Sequence, residues 1–300
     1  METIHIKSIS QSHQMLDIAK PKHPLFSILK FEEMPQTDVP EKTKLLFDYY
    51  QIIFKKDCPN KLQYGQTMYD FDEGVMSYFA PKQVSIVEPG ILFPQSGWTI
   101  SLHPDFLRSY GLGKKIKNYG FFEYAANEAL ILSEDEEKTI ENILQQIYME
   151  YHLPIDKFSQ DVVIANLELL LTYSNRYYNR QFVVRKPGND TLLSKFEKQL
   201  QQYFENEIAE KGLPAVNYFS AQFHLSSKYF SDLLKQYTGL SAQQHIHEKL
   251  IEKAKEKLSA TNLSVSEIAY ELGFEHPQSF SKLFKTKTSQ SPLEFRASFN

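Results

Sequence analysis

The stretch Phe230-Ser-Asp-Leu-Leu-Lys-Gln-Tyr-Thr-Gly-Leu-Ser241 returns fifty residues later as Phe280-Ser-Lys-Leu-Phe-Lys-Thr-Lys-Thr-Ser-Gln-Ser291, with six of twelve positions identical. The segments around them, from about Pro214 to Ala242 and from about Ser264 to Pro292, look like two copies of one unit. Two copies are too few for a solenoid, which needs at least three to bury a continuous core. The duplication suits two equivalent docking events instead, and a double helix offers equivalent grooves one turn apart.

In the second copy, Ser264-Val-Ser-Glu267 is a capping box that opens a helix with Ile268, Ala269 and Leu272 facing inward. Gly273 supplies the left-handed backbone that stops it, and Phe274 plugs the core after the turn. Pro277 has no amide hydrogen to leave unpaired and suits the first position of the next helix. That helix keeps Phe280, Leu283 and Phe284 inside and Gln278, Ser281, Lys282 and Lys285 outside.

The first copy repeats the arrangement. Val216, Phe219, Ser220 and Phe223 line its first helix, His224 stands in place of Gly273, and Leu225 replaces Phe274. Ser226 caps a second helix with Tyr229, Phe230, Leu233 and Leu234 inside and Lys228, Ser231, Asp232 and Lys235 outside. His224 reads as turn geometry, since histidine tolerates a left-handed backbone better than most residues.

Between the copies, Ile246, Leu250, Ala254 and Leu258 fall at intervals of four, with glutamates and lysines on the other faces. Such a helix is a rigid spacer. Recognition helices entering successive major grooves on one face of a duplex must sit ~34 Å apart, and a stiff rod removes part of the orientational cost of docking both. A single helix-turn-helix is also an ordinary way to pack helices. Two copies, a rigid spacer and outward Ser, Gln and Lys shift the reading toward DNA.

The front of the chain has a different rhythm. Leu45–Phe47, Tyr49–Phe54, Val75–Phe79, Val84–Val87 and Trp98–His103 favour strands, and Gly65, Gly74, Gly90 and Gly97 punctuate turns. Trp98, Ile100 and Leu102 share one face of the last strand, with Thr99, Ser101 and His103 on the other. Many short strands with regular turns predict a small barrel or sandwich.

After Leu132 the period becomes helical. Ser133 and Glu136 make a capping box ahead of Ile140, Ile143, Leu144 and Ile147, and a second helix is expected from Gln160 to about Tyr178. The pair either closes the open end of a barrel or forms a dimer seam. Pro187-Gly188 lies in a stretch expected to be a linker. The fold class expected is α+β in two domains: a β-barrel followed by helices over 1–182, a linker over 183–190, and an all-α double helix-turn-helix with a long central helix over 191–300.

Composition narrows the class. The 300 residues are 42% apolar and 23% charged, which describes a globular chain long enough for two domains. The start of the chain does not look like a targeting segment, and no stretch has the ~18 apolar residues of a membrane span, so the cytoplasm is the expected location and no membrane is expected as a partner. Cys58 is the only cysteine, which excludes an internal disulfide and a thiolate metal cluster. Net charge is −4, yet from Lys211 onward eleven basic and eight acidic side chains leave a balance of +3. That tail is only mildly basic, so the helix pattern carries more weight than composition.

These residues, above all Ser266-Glu-Ile-Ala-Tyr-Glu-Leu-Gly-Phe-Glu-His-Pro-Gln-Ser-Phe-Ser-Lys-Leu-Phe-Lys285 with Ser291-Pro292 and Phe295-Arg296, resemble the DNA-binding domain of the AraC/XylS family of bacterial transcription regulators. The resemblance covers roughly the last hundred residues. The front resembles, more weakly, the cupin-like sensor domains that precede this module in many members.

The resemblance implies base contacts from Lys228, Ser231 and Asp232 in the first copy and from Pro277, Gln278, Ser281 and Lys282 in the second. It implies phosphate contacts from Lys235, Lys285 and Lys287. Gln can engage adenine, Lys can donate to guanine acceptors, and Ser serves either. Asp232 either accepts from a cytosine amino group or pairs along its helix with Lys228 or Lys235. The partners implied are promoter DNA, a small-molecule effector, RNA polymerase and a second copy of the chain, with no cofactor. Three positions depart from the family pattern: Ser220 stands where Ala is usual, Lys249 where Arg is usual and Ser289 where Gly is usual. Lys249 lacks the planar fork, and Ser289 must adopt a strained turn or a different one.

Two rivals stand beside the regulator. A metal-dependent cupin enzyme needs clustered ligands, whereas His5, His13, His23, His103 and His152 are scattered, and His245 and His247 fall on different faces of one helix. No phosphate-cradling glycine loop or nucleophile elbow occurs, so an enzyme is not expected. The other rival is an architectural DNA-binding protein whose front domain merely dimerises. Phe47, Tyr49, Tyr50, Tyr64, Tyr69, Phe71, Tyr78, Phe79 and Trp98 either line an effector pocket or pack as core. Arg176–Phe182 either couples the sensor to the tail or ends a solvated helix.

Overall fold

The computed structural model describes residues 3–35, 42–56, 62–64, 67–69, 74–87, 89, 94–184 and 186–298. Cys58, Gly65, Phe71 and Gly90 lie outside the described residues. The chain divides into two compact units, Met1–Val184 and Arg185–Asn300.

The first unit begins with β1 (Thr3–Ile6), α1 (Ile9–Met15), β2 (Phe26–Lys30), β3 (Thr43–Phe47), β4 (Tyr50–Lys56), β5 (Leu62–Tyr64) and β6 (Thr67–Tyr69). It continues through β7 (Val75–Phe79), β8 (Val84–Val87), β9 (Ser96–Leu102), α2 (Leu112–Lys115), β10 (Leu130–Ile131), α3 (Glu134–His152) and α4 (Ser159–Val184). Five strands make an antiparallel sheet in the order β10-β7-β4-β9-β2, three make a sheet β1-β3-β8, and β5 pairs with β6. In the three-stranded sheet β1 runs parallel to β3 and β3 antiparallel to β8.

The described strands therefore form separate sheets, with no closed barrel among them. The physical reason lies in what covers the apolar face of the five-stranded sheet. Trp98, Ile100 and Leu102 are buried on one side of β9 as the alternation requires. Helices α3 and α4 supply the cover: Trp98 meets Tyr148 edge-on at 5.3 Å, Phe26 meets Tyr151 at 5.7 Å, and Tyr78 meets Tyr178 at 6.2 Å. A sheet whose apolar face is closed by helices has no need to curl on itself.

Helix α3 opens at the Ser133/Glu136 capping box, where the Ser133 amide donates to the Glu136 carboxylate at 3.0 Å. Its partner α4 extends beyond the expected Gln160–Tyr178 at both ends. The segment 176–182 is no frayed terminus. Tyr177, Tyr178, Gln181 and Phe182 are buried, and Arg180 binds Glu136 and the carbonyl of Ile131. Gln181 accepts from the Ile131 amide at 2.9 Å, so the end of α4 is stitched to β10.

The second unit is helical: α5 (Lys186–Asn206), α6 (Ile208–Lys211), α7 (Val216–Gln222), α8 (Ser227–Thr238), α9 (Ala242–Ala260), α10 (Val265–Glu271), α11 (Pro277–Thr288) and α12 (Pro292–Ala297). The stretch 183–190, expected as a linker, is helical up to Val184 and again from Lys186. Proline is tolerated in the first turn of a helix, where its missing N–H has no partner to lose, and Pro187 sits there in α5. One cluster of buried apolar side chains runs through the unit, with Phe196 and Leu200 from α5, Phe219 from α7, Phe230 from α8, Leu250 from α9, Ile268 from α10 and Phe280 from α11. Both copies of the repeat are thus fixed to one core.

Candidate nucleic-acid interface

The two copies are built by the same hydrogen bonds. After α7, His224 takes φ 56°, and the amides of His224 and Leu225 donate to Ala221 O and Ser220 O at 3.1 and 3.0 Å. After α10, Gly273 takes φ 79°, and the amides of Gly273 and Phe274 donate to Tyr270 O and Ala269 O at 2.9 and 3.0 Å. The far ends also agree. Gly239 and Ser289 adopt left-handed φ values of 78° and 64°, and their amides donate to Lys235 O and Lys285 O, each at 2.9 Å. Ser289 therefore accepts the strained turn, on an exposed corner where its Cβ meets solvent.

Outward residues differ more than the backbones do. On α11, Gln278, Lys282 and Lys285 are exposed, and Pro277 starts the helix. Lys287 is exposed near the helix end, and its charge adds to burial in holding His247 of α9 below the ordinary histidine range. Ser279 and Thr286 are also exposed on α11. Neither was expected at the interface, although both lie beside the predicted positions on the helical wheel.

On α8 the face is partly spent. Lys228 donates to Asp232 at 3.1 Å, so the pairing alternative for Asp232 is the one the structure contains. Ser231, expected to face outward, is half-buried, and its hydroxyl accepts from the Ala242 amide at 3.2 Å. The reason is local: Ala242 starts α9, and a first-turn amide needs an acceptor. The equivalent position in the second copy is Pro292, which has no N–H to offer Ser281. Lys235 is exposed. Among the described residues, Lys235, Lys282, Lys285 and Lys287 make no ion pair.

Helix α9 neutralises its own charge. Lys249 pairs with Glu252 at 2.9 Å, Lys253 with Glu256 at 3.0 Å, and Lys257 with Glu271 of α10 at 2.6 Å. Lys249 thus meets a partner without the planar fork of arginine. Arg296 of α12 donates to Leu258 O in the last turn of α9 and to Leu263 O in the loop after it, at 3.3 and 2.6 Å. At the other end, His245 Nε2 lies 2.8 Å from Thr238 Oγ1, joining α9 to the last turn of α8, and burial lowers the His245 pKa.

In the first unit, Phe47, Tyr49, Tyr50, Tyr78 and Trp98 pack as core and Phe79 is half-buried. A recess between Ser77, Tyr78, Tyr124 and Tyr178 measures about 10 Å³, room for about one water. Among the described residues, no group of three or more His, Cys, Asp or Glu is placed to hold a metal ion, and no helix is long and apolar enough to cross a membrane.

Comparison with known proteins falls on this second unit. The helix-turn-helix domain family matches residues 219–298. The HTH-type transcriptional activator RhaS of Salmonella schwarzengrund (strain CVM19633) is 30% identical over 134 residues, 44% of this chain and 46% of that protein. RhaS of Enterobacter sp. (strain 638) is 34% identical over 109 residues, 36% of this chain and 37% of that protein. The chain thus spans less than half the length of these curated relatives. A solved structure, the C-terminal domain of the two-component response regulator yesN from Fusobacterium nucleatum subsp. nucleatum ATCC 25586, is 30% identical. It covers 33% of this chain and 96% of its own, with a TM-score of 0.30. Residues 219–298 thus form a helix-turn-helix domain of the AraC type, similar to the one in these transcription activators.

Proposed function

We propose that the chain is a sequence-specific, DNA-binding regulator of transcription that works in the cytoplasm. Helices α8 and α11 enter successive major grooves of a promoter, and the first unit reports a small molecule and joins two copies. The observation that carries the reading is the repeat itself. Two helix-turn-helix copies with matching turn hydrogen bonds are mounted on one buried core, with the 19 residues of α9 between them in the chain. The related activators support a role in transcription, and contact with RNA polymerase is part of the proposed role.

Base reading falls to Gln278, Ser281 and Lys282, with Pro277 fixing the entry of α11; of the corresponding α8 positions, Lys228 and Asp232 are paired with each other and Ser231 contributes through its anchor to α9. Lys235, Lys285 and Lys287 hold phosphate, which sets register without reading sequence. Effector sensing through the recess beside Tyr124 and Tyr178 requires the aromatic core around it to open. A ligand-independent architectural role is favoured if it stays shut, and the narrowness of the Tyr124–Tyr178 recess is the observation on that side.

The test uses duplexes enriched from random-sequence DNA by the full-length chain. Gln278→Ala is expected to change the preferred base at one position, where a good bidentate contact contributes about 1–3 kcal/mol of discrimination. Lys285→Ala is expected to weaken every duplex alike and to reduce the salt slope by about 1. The reverse pattern would show that α11 is not the reading helix.

A further inference from the structure

The two units of the repeat share a backbone but not a charge pattern. On α11, Gln278, Lys282 and Lys285 are exposed, and among the described residues the lysines make no salt bridge, Lys285 only adding to the lowering of the Glu294 pKa from a distance. The same three positions on α8 are Lys228, Asp232 and Lys235, and there the first two close on each other at 3.1 Å. The third difference is the serine. Ser231 is committed to the Ala242 amide, whereas the position equivalent to Ala242 in the second copy is Pro292, which has no N–H to give Ser281. A recognition helix carrying an unpaired carboxylate would repel phosphate, and one carrying a paired carboxylate withholds a lysine from it.

The geometry points to unequal readers: α11 carries most of the sequence discrimination, and Asp232 acts as a brake on α8 by holding Lys228 away from the DNA backbone. This rests on the DNA-binding reading above. Asp232 is then a residue that sets affinity without touching a base. An exposed or half-exposed pair of this kind is individually weak, so the lysine is withheld at modest cost and is released when the carboxylate is removed.

The test compares the full-length chain with Asp232→Asn, which keeps the shape of the side chain and removes its charge. The probes are a duplex enriched from random-sequence DNA by the wild-type chain and an unselected random duplex. Asp232→Asn is expected to tighten both by about threefold and to steepen the salt dependence by close to one phosphate contact, about 0.9 in the logarithmic slope. The double substitution Lys228→Gln with Asp232→Asn is expected to return the slope to the wild-type value. Unchanged affinity and slope in Asp232→Asn would overturn the proposal, as would weaker binding with lost preference at a single C·G pair, which would make Asp232 a base reader. Absence of salt-dependent binding by the wild-type chain would overturn the DNA-binding reading itself, and the brake with it.

Discussion

Phe196→Ala is expected to cost the second unit about 3–5 kcal/mol of stability, the range for deleting a fully buried phenylalanine. The ring of Phe196 meets Phe219 at 5.3 Å, Phe230 at 5.2 Å and His245 at 5.7 Å, each edge-on. Those three rings belong to α7, α8 and α9, so one side chain of α5 holds both helices of the first copy against the spacer. The cavity left by alanine lies among groups tied to separate helices and cannot collapse without moving one of them. Urea denaturation followed by far-ultraviolet circular dichroism measures the loss. The exposed neighbour Lys198 serves as control, since substitutions at such sites stay within about 0.5 kcal/mol. A loss below about 1 kcal/mol for Phe196→Ala would mean that α5 is no part of the DNA-binding core.

Gly273→Val is the second large effect. Glycine is required there twice over, by φ 79° and by the neighbour its Cβ would meet. A Cβ at 273 falls 2.8 Å from Gly212 C and 2.9 Å from Leu213 N, both backbone atoms that cannot swing aside like the tip of a side chain. The left-handed conformation costs a β-carbon residue roughly 1–2 kcal/mol, and overpacking adds about 1–3 more. His224 shows that the first cost alone is tolerable, because it holds the same turn at φ 56° in the first copy. Thermal denaturation of Gly273→Val against His224→Val separates the two contributions. The substitution at 273 is expected to lower Tm by far the larger amount, and equal losses would contradict the close approach of Gly212 to Gly273.

Much of this second unit was legible before any coordinates. Capping serines, the inward apolar spacing of Phe280 and Phe284, and the glycine stop at Gly273 act locally, so sequence order alone reveals them. The strands β3, β4, β7, β8 and β9 were legible for the same reason. The layering of the first unit was not, because the apolar face of Trp98, Ile100 and Leu102 is equally consistent with a barrel interior or a helical cover. Only the meeting of β9 with α3 decides it. Helix α5 has the signal of Leu193, Phe196, Leu200 and Tyr203 at helical spacing, but Pro187-Gly188 reads as a tether unless the proline is placed in a first turn. At the interface, Ser231 looked as free as Ser281, whereas the pairing of Asp232 with Lys228 was one of the two alternatives legible in the chain. The commitment of Ser231 to Ala242 depends on the angle at which α8 meets α9, although the contrast between Ala242 and Pro292 was already visible in the chain.

Hydroxyl-radical footprinting of the full-length chain on its enriched duplex tests the paired-docking claim most directly. Two protected patches on one face of the DNA, about one helical turn or ~34 Å apart, are expected, with the patch under α11 erased by the double substitution Lys282→Ala and Lys285→Ala. A single patch, or two patches on opposite faces, would contradict simultaneous entry of α8 and α11 into successive major grooves.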